Sequence, residues 1–115
     1  MIITGKVIHG AQLGRRMGFP TANIDASELH DADNGVYSSR VRIGQKEYKA
    51  MSNLGMRPSV DGRTRLLETH IFDFDGDLYN KTIEVELLDK IRDERHFSSL
   101  EELKNQLNSD AFLCR

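Results

Sequence analysis

Residues 36–43 (VYSSRVRI) and 46–54 (KEYKAMSNL) read as strands with only Gly44-Gln45 between them. A two-residue connection of this kind is the spacing of a tight hairpin, so the centre of the chain is committed to antiparallel sheet. Three further runs extend it: residues 2–9 (IITGKVIH), 66–74 (LLETHIFDF) and 82–91 (TIEVELLDKI). In the last, Ile83, Val85 and Leu87 fall on one face and Thr82, Glu84 and Glu86 on the other. Five or six antiparallel strands result. A single helix is predicted at the end, where Leu100, Leu103 and Leu107 recur at helical spacing and Ser98 with Glu101 forms a capping box. Many short strands and one terminal helix predict a mainly β fold, a closed or nearly closed barrel with the helix outside it or across one end.

With 115 residues and no repeat or linker, one domain, 1–115, is expected. A hydrophobic share of 38% is spread in short runs, so no membrane partner is expected. The net charge of −2 and a pI near 6.1 argue against a phosphate-backbone binder, and nucleic acid is not an expected partner. Cys114 has no partner in the chain, which fits a reducing compartment, and MIITG lacks the features of a secretory signal. A cytoplasmic location follows as the expectation.

Between the first strand and the hairpin lies GRRMGFPTANI (14–24), which suits neither helix nor strand. Gly10, Gly14 and Gly18 miss the standard phosphate-loop spacings, yet they fit either a backbone arch around an anion or a plain surface loop. Pro20 pushes its neighbour toward extended geometry, and in an extended segment Thr21 and Asn23 point to the same side. Their two neutral oxygens suit Mg²⁺ arriving with a nucleotide; tying down a turn is the other use of such residues. DFDGDLYNKTIE (73–84) has aspartates at alternate positions, but Leu78 stands where a calcium loop needs glycine, and a turn between strands explains it better.

Glu68 shares a face with His70, Phe72 and Phe74, opposite Leu67 and Ile71. If that face is enclosed, Glu68 is a candidate general base; if not, it is an exposed strand glutamate. His70 reads as a packed histidine, since no second metal ligand is suitably spaced. Arg92, Arg95 and Phe97, in IRDERHF, either grip a planar polar ligand or are solvated charges at a strand end.

Collinear over nearly the whole chain, GKVIHG with GRRMGFPTAN, NGVY, SNLGMRPS, ETHIFDFDGDLYN and IRDERHFSSLEELKNQLNSD resemble the riboflavin kinase family, including the kinase module of bacterial bifunctional riboflavin kinase/FAD synthetases. The resemblance implies a six-stranded antiparallel Greek-key β-barrel with a C-terminal helix. It further implies transfer of the ATP γ-phosphate to the 5′-hydroxyl of riboflavin, giving FMN and ADP with Mg²⁺ as cofactor. Carried over by motif, Thr21 and Asn23 contact Mg²⁺ and phosphate, and Gly10 and Arg15 contact ATP. Glu68 is then the catalytic base, Arg92 and Phe97 (with Arg95 a looser match) contact the flavin, and Tyr79, Ile71 and Asp73 lie along the adenine nucleotide.

Ser59, Leu54 and Met17 depart from the family pattern conservatively. Asn80 replaces a glycine but tolerates positive φ, and Asp93 replaces a proline found in some members, which bears on flavin affinity rather than activity. Since the chain starts inside a strand, a fused N-terminal FMN adenylyltransferase domain is expected in the full-length protein. Two competing readings are a flavin or nucleotide carrier without turnover and an OB-like nucleic-acid barrel, the latter disfavoured by the acidic balance and the absence of tryptophan.

Overall fold

β-Branched and aromatic residues at alternate positions give each strand one apolar face, which closes around a core when the sheet curls on itself. The computed structural model describes residues 1–9, 18–59 and 62–115. In chain order these form β1 (Ile2–Lys6), β2 (Ala22–Asp25), β3 (Gly35–Ile43), β4 (Lys46–Ser59), β5 (Gly62–Ile71), β6 (Thr82–Arg92) and α1 (Leu100–Cys114). The spatial order is β1-β6-β3-β4-β5-β2, with every pairing antiparallel. Hairpin-linked β3-β4-β5 with β6 returning beside β3 is a Greek key. Just past β1, the Ile8 amide donates to the Asn23 carbonyl at 2.8 Å, bringing the two ends of the sheet together into a nearly closed barrel.

Ile24, Leu67 and Leu54 are register partners across β2, β5 and β4 and are all buried, as are Val41 and Val85 across β3 and β6. Within this apolar interior lies a polar chain: the Ser39, Ser52 and Thr69 hydroxyls bond in series at 2.8 and 2.7 Å. Each is buried, and the series satisfies groups that would otherwise be costly there. A second, outer cluster of Phe19, Met51 and Phe72 receives α1 through Ala111 and Cys114. Burial pushes the Cys114 thiol up to about 11.

Several boundaries differ from the sequence expectation. β1 stops at Lys6 because Ile8 changes partner to β2. β4 continues to Ser59, since Arg57 and Pro58 remain paired with Thr64 and Arg63 of β5. β5 ends at Ile71, where the positive φ of Asp73 (57°) soon breaks the extended run. The helix cap lies one residue later than predicted. Ser99, in extended geometry, accepts the Glu102 amide, while the Ser98 hydroxyl and amide donate to the Glu102 carboxylate. Leu100 is accordingly exposed, and the docked face is Leu107, Asp110, Ala111 and Cys114. No helix among the described residues is long and apolar enough to cross a membrane.

Candidate active site

Thr21 enters β2 directly after Pro20, and the extended backbone turns its hydroxyl and the Asn23 amide to one place. The Thr21 hydroxyl donates to Asn23 Oδ1 at 3.4 Å. Both residues line a cavity of about 600 Å³ that also takes in His9, Ile71 and Tyr79, a volume within the range of small-molecule sites. Tyr79 stacks on His9 with ring centroids 3.7 Å apart and planes 14° from parallel. The turn holding Tyr79 has Asn80 at φ 68° and Asp77 accepting the Tyr79 amide at 2.9 Å. Asp73 is not part of this cavity; its exposed carboxylate lies 4.0 Å from Arg115 and lines a separate cavity of about 390 Å³. Gly10 and Arg15 lie outside the described residues, and Gly18 has φ 83°.

His70 fastens this segment to β5. Its Nδ1 bonds the Pro20 carbonyl at 2.8 Å, and its ring meets Phe19 and Phe72 edge-on. Because a carbonyl only accepts, Nδ1 carries the proton. Burial lowers the His70 pKa, the Pro20 bond opposes that, and Arg115 adds to the lowering.

Directly opposed residues of antiparallel strands share a face. Asn23, Glu68, Asn53, Val36 and Arg92 are successive register partners across β2, β5, β4, β3 and β6, so they form one line over the barrel's outer surface. Leu67, Thr69 and Ile71 point inward, which places Glu68 and His70 outside. Glu68 is not freely solvated: its side chain is 19% exposed and pairs with Arg57 Nε at 2.7 Å. Arg57 also reaches Glu94, at 2.9 Å, and donates to the Met56 carbonyl. Burial by itself would lower the Arg57 pKa; the Glu68 and Glu94 carboxylates outweigh it and raise it. Asn53 Oδ1 is buried with no hydrogen-bond partner among the described residues.

Arg92 ends the line and is structurally committed. Its Nε and Nη2 grip the buried carboxylate of Asp110 at 3.0 and 2.8 Å, and Nη1 donates to the Asp93 carbonyl. Arg95 bonds Gln106, and the Phe97 ring lies 5.0 Å from the Arg95 guanidinium and 5.9 Å from that of Arg92. Asp93, itself exposed, pairs with Lys90 at 2.6 Å. The structure thus brings Thr21, Asn23, Ile71 and Tyr79 into one cavity, and Arg92, Arg95 and Phe97 into one cluster. The Asn23–Glu68 pairing links that cavity to the outward face of β5.

Asn53, Arg57, Glu94 and Asp110 were not singled out from the sequence. Asn53 and Arg57 are four apart in a strand and so share a face, a usable signal; nothing in the sequence aims Glu94 at Arg57.

Residues 1–115 match the family model Flavokinase, described as riboflavin kinase. The chain belongs to the riboflavin kinase family. It is 44% identical over 94% of its length to a bifunctional riboflavin kinase/FMN adenylyltransferase of Haemophilus influenzae, of which it spans 35%. To an RNA-binding riboflavin kinase of Bacillus subtilis it is 44% identical over 95% of its length, spanning 47% of that protein. Riboflavin kinase from Trypanosoma brucei superposes with a TM-score of 0.68 at 27% identity, covering 99% of this chain and 76% of that one. A Streptococcus pneumoniae structure described as a macrolide-efflux protein superposes with a TM-score of 0.88 at 37% identity, covering 99% of this chain and 38% of that one. The chain therefore spans between a third and a half of the length of these curated relatives.

Proposed function

We propose that this chain transfers the γ-phosphate of ATP to the 5′-hydroxyl of riboflavin, giving FMN and ADP. The observation that carries the reading is the line from Asn23 to Glu68. It sets a nucleotide-sized cavity beside a carboxylate whose other flank leads to the Arg92, Arg95 and Phe97 cluster.

In this reading the adenine nucleotide occupies the cavity with Ile71 and Tyr79 along it, and its phosphates extend past Thr21 and Asn23 toward Glu68. Asp73 points to the other cavity, so no nucleotide contact is assigned to it. Gly10 and Arg15 are assigned to ATP on the resemblance alone. Two neutral oxygens 3.4 Å apart fit Mg²⁺ only as part of a shell completed by phosphate and water. When bound there, the ion would neutralise phosphate charge.

Riboflavin lies against the outer face, with its ring system by Phe97 and Arg95. Arg92 serves mainly to hold the cluster, because its Nε and Nη2 are committed to Asp110 and its Nη1 to the Asp93 carbonyl. The buried Asn53 Oδ1, without a hydrogen-bond partner among the described residues, is an acceptor for a ribityl hydroxyl. Glu68 orients the 5′-hydroxyl; as the new O–P bond forms and the bond from Pγ to the ADP oxygen breaks, it takes the hydroxyl proton. Transfer of this kind has a loose transition state, so alignment and charge neutralisation matter more than a strong base.

Glu68→Ala and Thr21→Ala should each lower turnover about a hundredfold or more while leaving the fold and its thermal transition intact. Near-normal FMN production by a folded Glu68→Ala protein would exclude the base assignment. The names of the bifunctional relatives support a fused FMN adenylyltransferase unit in the full-length protein. Phosphorylation of riboflavin with ATP as donor suits a cytoplasmic location. This barrel holds only the kinase half, and FAD formation by it would contradict the division of labour.

A further inference from the structure

Arg57 is the one cation paired with Glu68 among the described residues, and it is held on two sides. Nε meets Glu68 at 2.7 Å, Nη1 meets Glu94 at 2.9 Å, and all three side chains are largely sheltered, at 23%, 19% and 30% exposure for Arg57, Glu68 and Glu94. Glu94 comes from the segment between β6 and α1, the same segment that carries Arg95 and Phe97. It reaches the sheet over Gly55, where an added Cβ would overlap its carboxylate. The glycine thus leaves the notch through which the loop touches Arg57.

We infer that Arg57 is a positioning residue that aims Glu68, and that Glu94 binds the same guanidinium so that the order of the 93–98 loop and the aim of Glu68 are linked. This rests on the reading of Glu68 as the base. Physically, a guanidinium presents its donors in a fixed plane, so two carboxylates on it constrain each other's placement; an ammonium has no such plane. A half-buried carboxylate with its partner removed is free to rotate away, and small misplacements at a reacting centre are expensive. The loop, for its part, loses the contact that presses Phe97 and Arg95 toward the outer face.

The test is a double-mutant cycle on the full chain with Arg57→Met and Glu94→Ala. Turnover and the KM values for riboflavin and Mg-ATP are measured separately, and thermal unfolding checks that each variant is folded. Arg57→Met should lower kcat about tenfold to a hundredfold, with the KM for Mg-ATP unchanged within about twofold. Glu94→Ala should raise the KM for riboflavin about threefold or more, and should add almost nothing to it in the Arg57→Met background. Arg57→Lys, which keeps the charge without the fork, should fold and still lower kcat, so the inference remains testable if Arg57→Met unfolds.

Wild-type kcat in folded Arg57→Met or Arg57→Lys overturns the positioning role, and additive effects of the two substitutions overturn the link to the loop. A Glu68→Gln control assigns the failure. If Glu68→Gln turns over normally, the base reading is wrong and the aiming role falls with it; if it is inactive while the Arg57 variants are normal, only the Arg57 inference is wrong.

Discussion

At the scale of single residues, His70 shows how burial and a hydrogen bond set a protonation state. Its ring is packed between Phe19 and Phe72, and this burial favours the neutral form, outweighing the Nδ1–H bond to the Pro20 carbonyl, which favours the charged one. With the folded-state pKa below the ordinary 6.5, the unfolded chain binds the proton first as pH falls. Stability from this group is full above pH 6.5 and is lost as pH drops from there through the folded-state pKa. Melting temperatures from pH 7.5 to 5 should therefore fall more steeply in the wild-type chain than in His70→Gln; parallel curves would contradict this. Thr21 and Asn23 were legible as a pair because two-residue spacing in an extended segment allows one outcome. The environment of Glu68 was not legible, because both faces of residues 66–74 carry large apolar side chains and alternation does not say which is inside.

Among the elements, α1 is fastened to β6 by Arg92 and Asp110 as well as by apolar packing. The Asp110 side chain is only 1% exposed, and its carboxylate is held by the two-pronged grip of Arg92 and by the Gln106 amide. Arg92→Met should destabilise the protein by about 3 to 5 kcal/mol, as expected when one partner of a buried ion pair is removed. Denaturant unfolding measures it, and a loss near zero would show that Asp110 finds another partner. A flavin-binding defect in such a variant would be partly a defect of the helix. The helix itself was evident from its leucine spacing, but its docked face was not: the cap at Ser99 rather than Ser98 is a one-residue difference that only the backbone geometry decides. Five of the strands were likewise evident, but β2 falls in the stretch that read as neither helix nor strand, and the ends of β1 and β5 depend on a change of partner at Ile8 and a positive φ at Asp73.

For the whole molecule, barrel closure does the work of assembly. The Greek-key order brings β2 beside β5 and β6 beside β3, so Asn23, Glu68 and Arg92, from three separated stretches of sequence, fall into one line. Local patterning reveals most of the strands but not their register, and register is what sets Asn23 and Asn53 on either side of Glu68. Family resemblance reached the residues of the line, and the structure adds the order in which they stand. The most direct test is to incubate the purified chain with riboflavin and Mg-ATP and separate the products by chromatography, counting FMN against ADP. FMN should appear in a one-to-one ratio with ADP, and Glu68→Ala should slow the formation of both about a hundredfold or more; stoichiometric binding of riboflavin and ATP with no FMN formed would instead make the barrel a carrier.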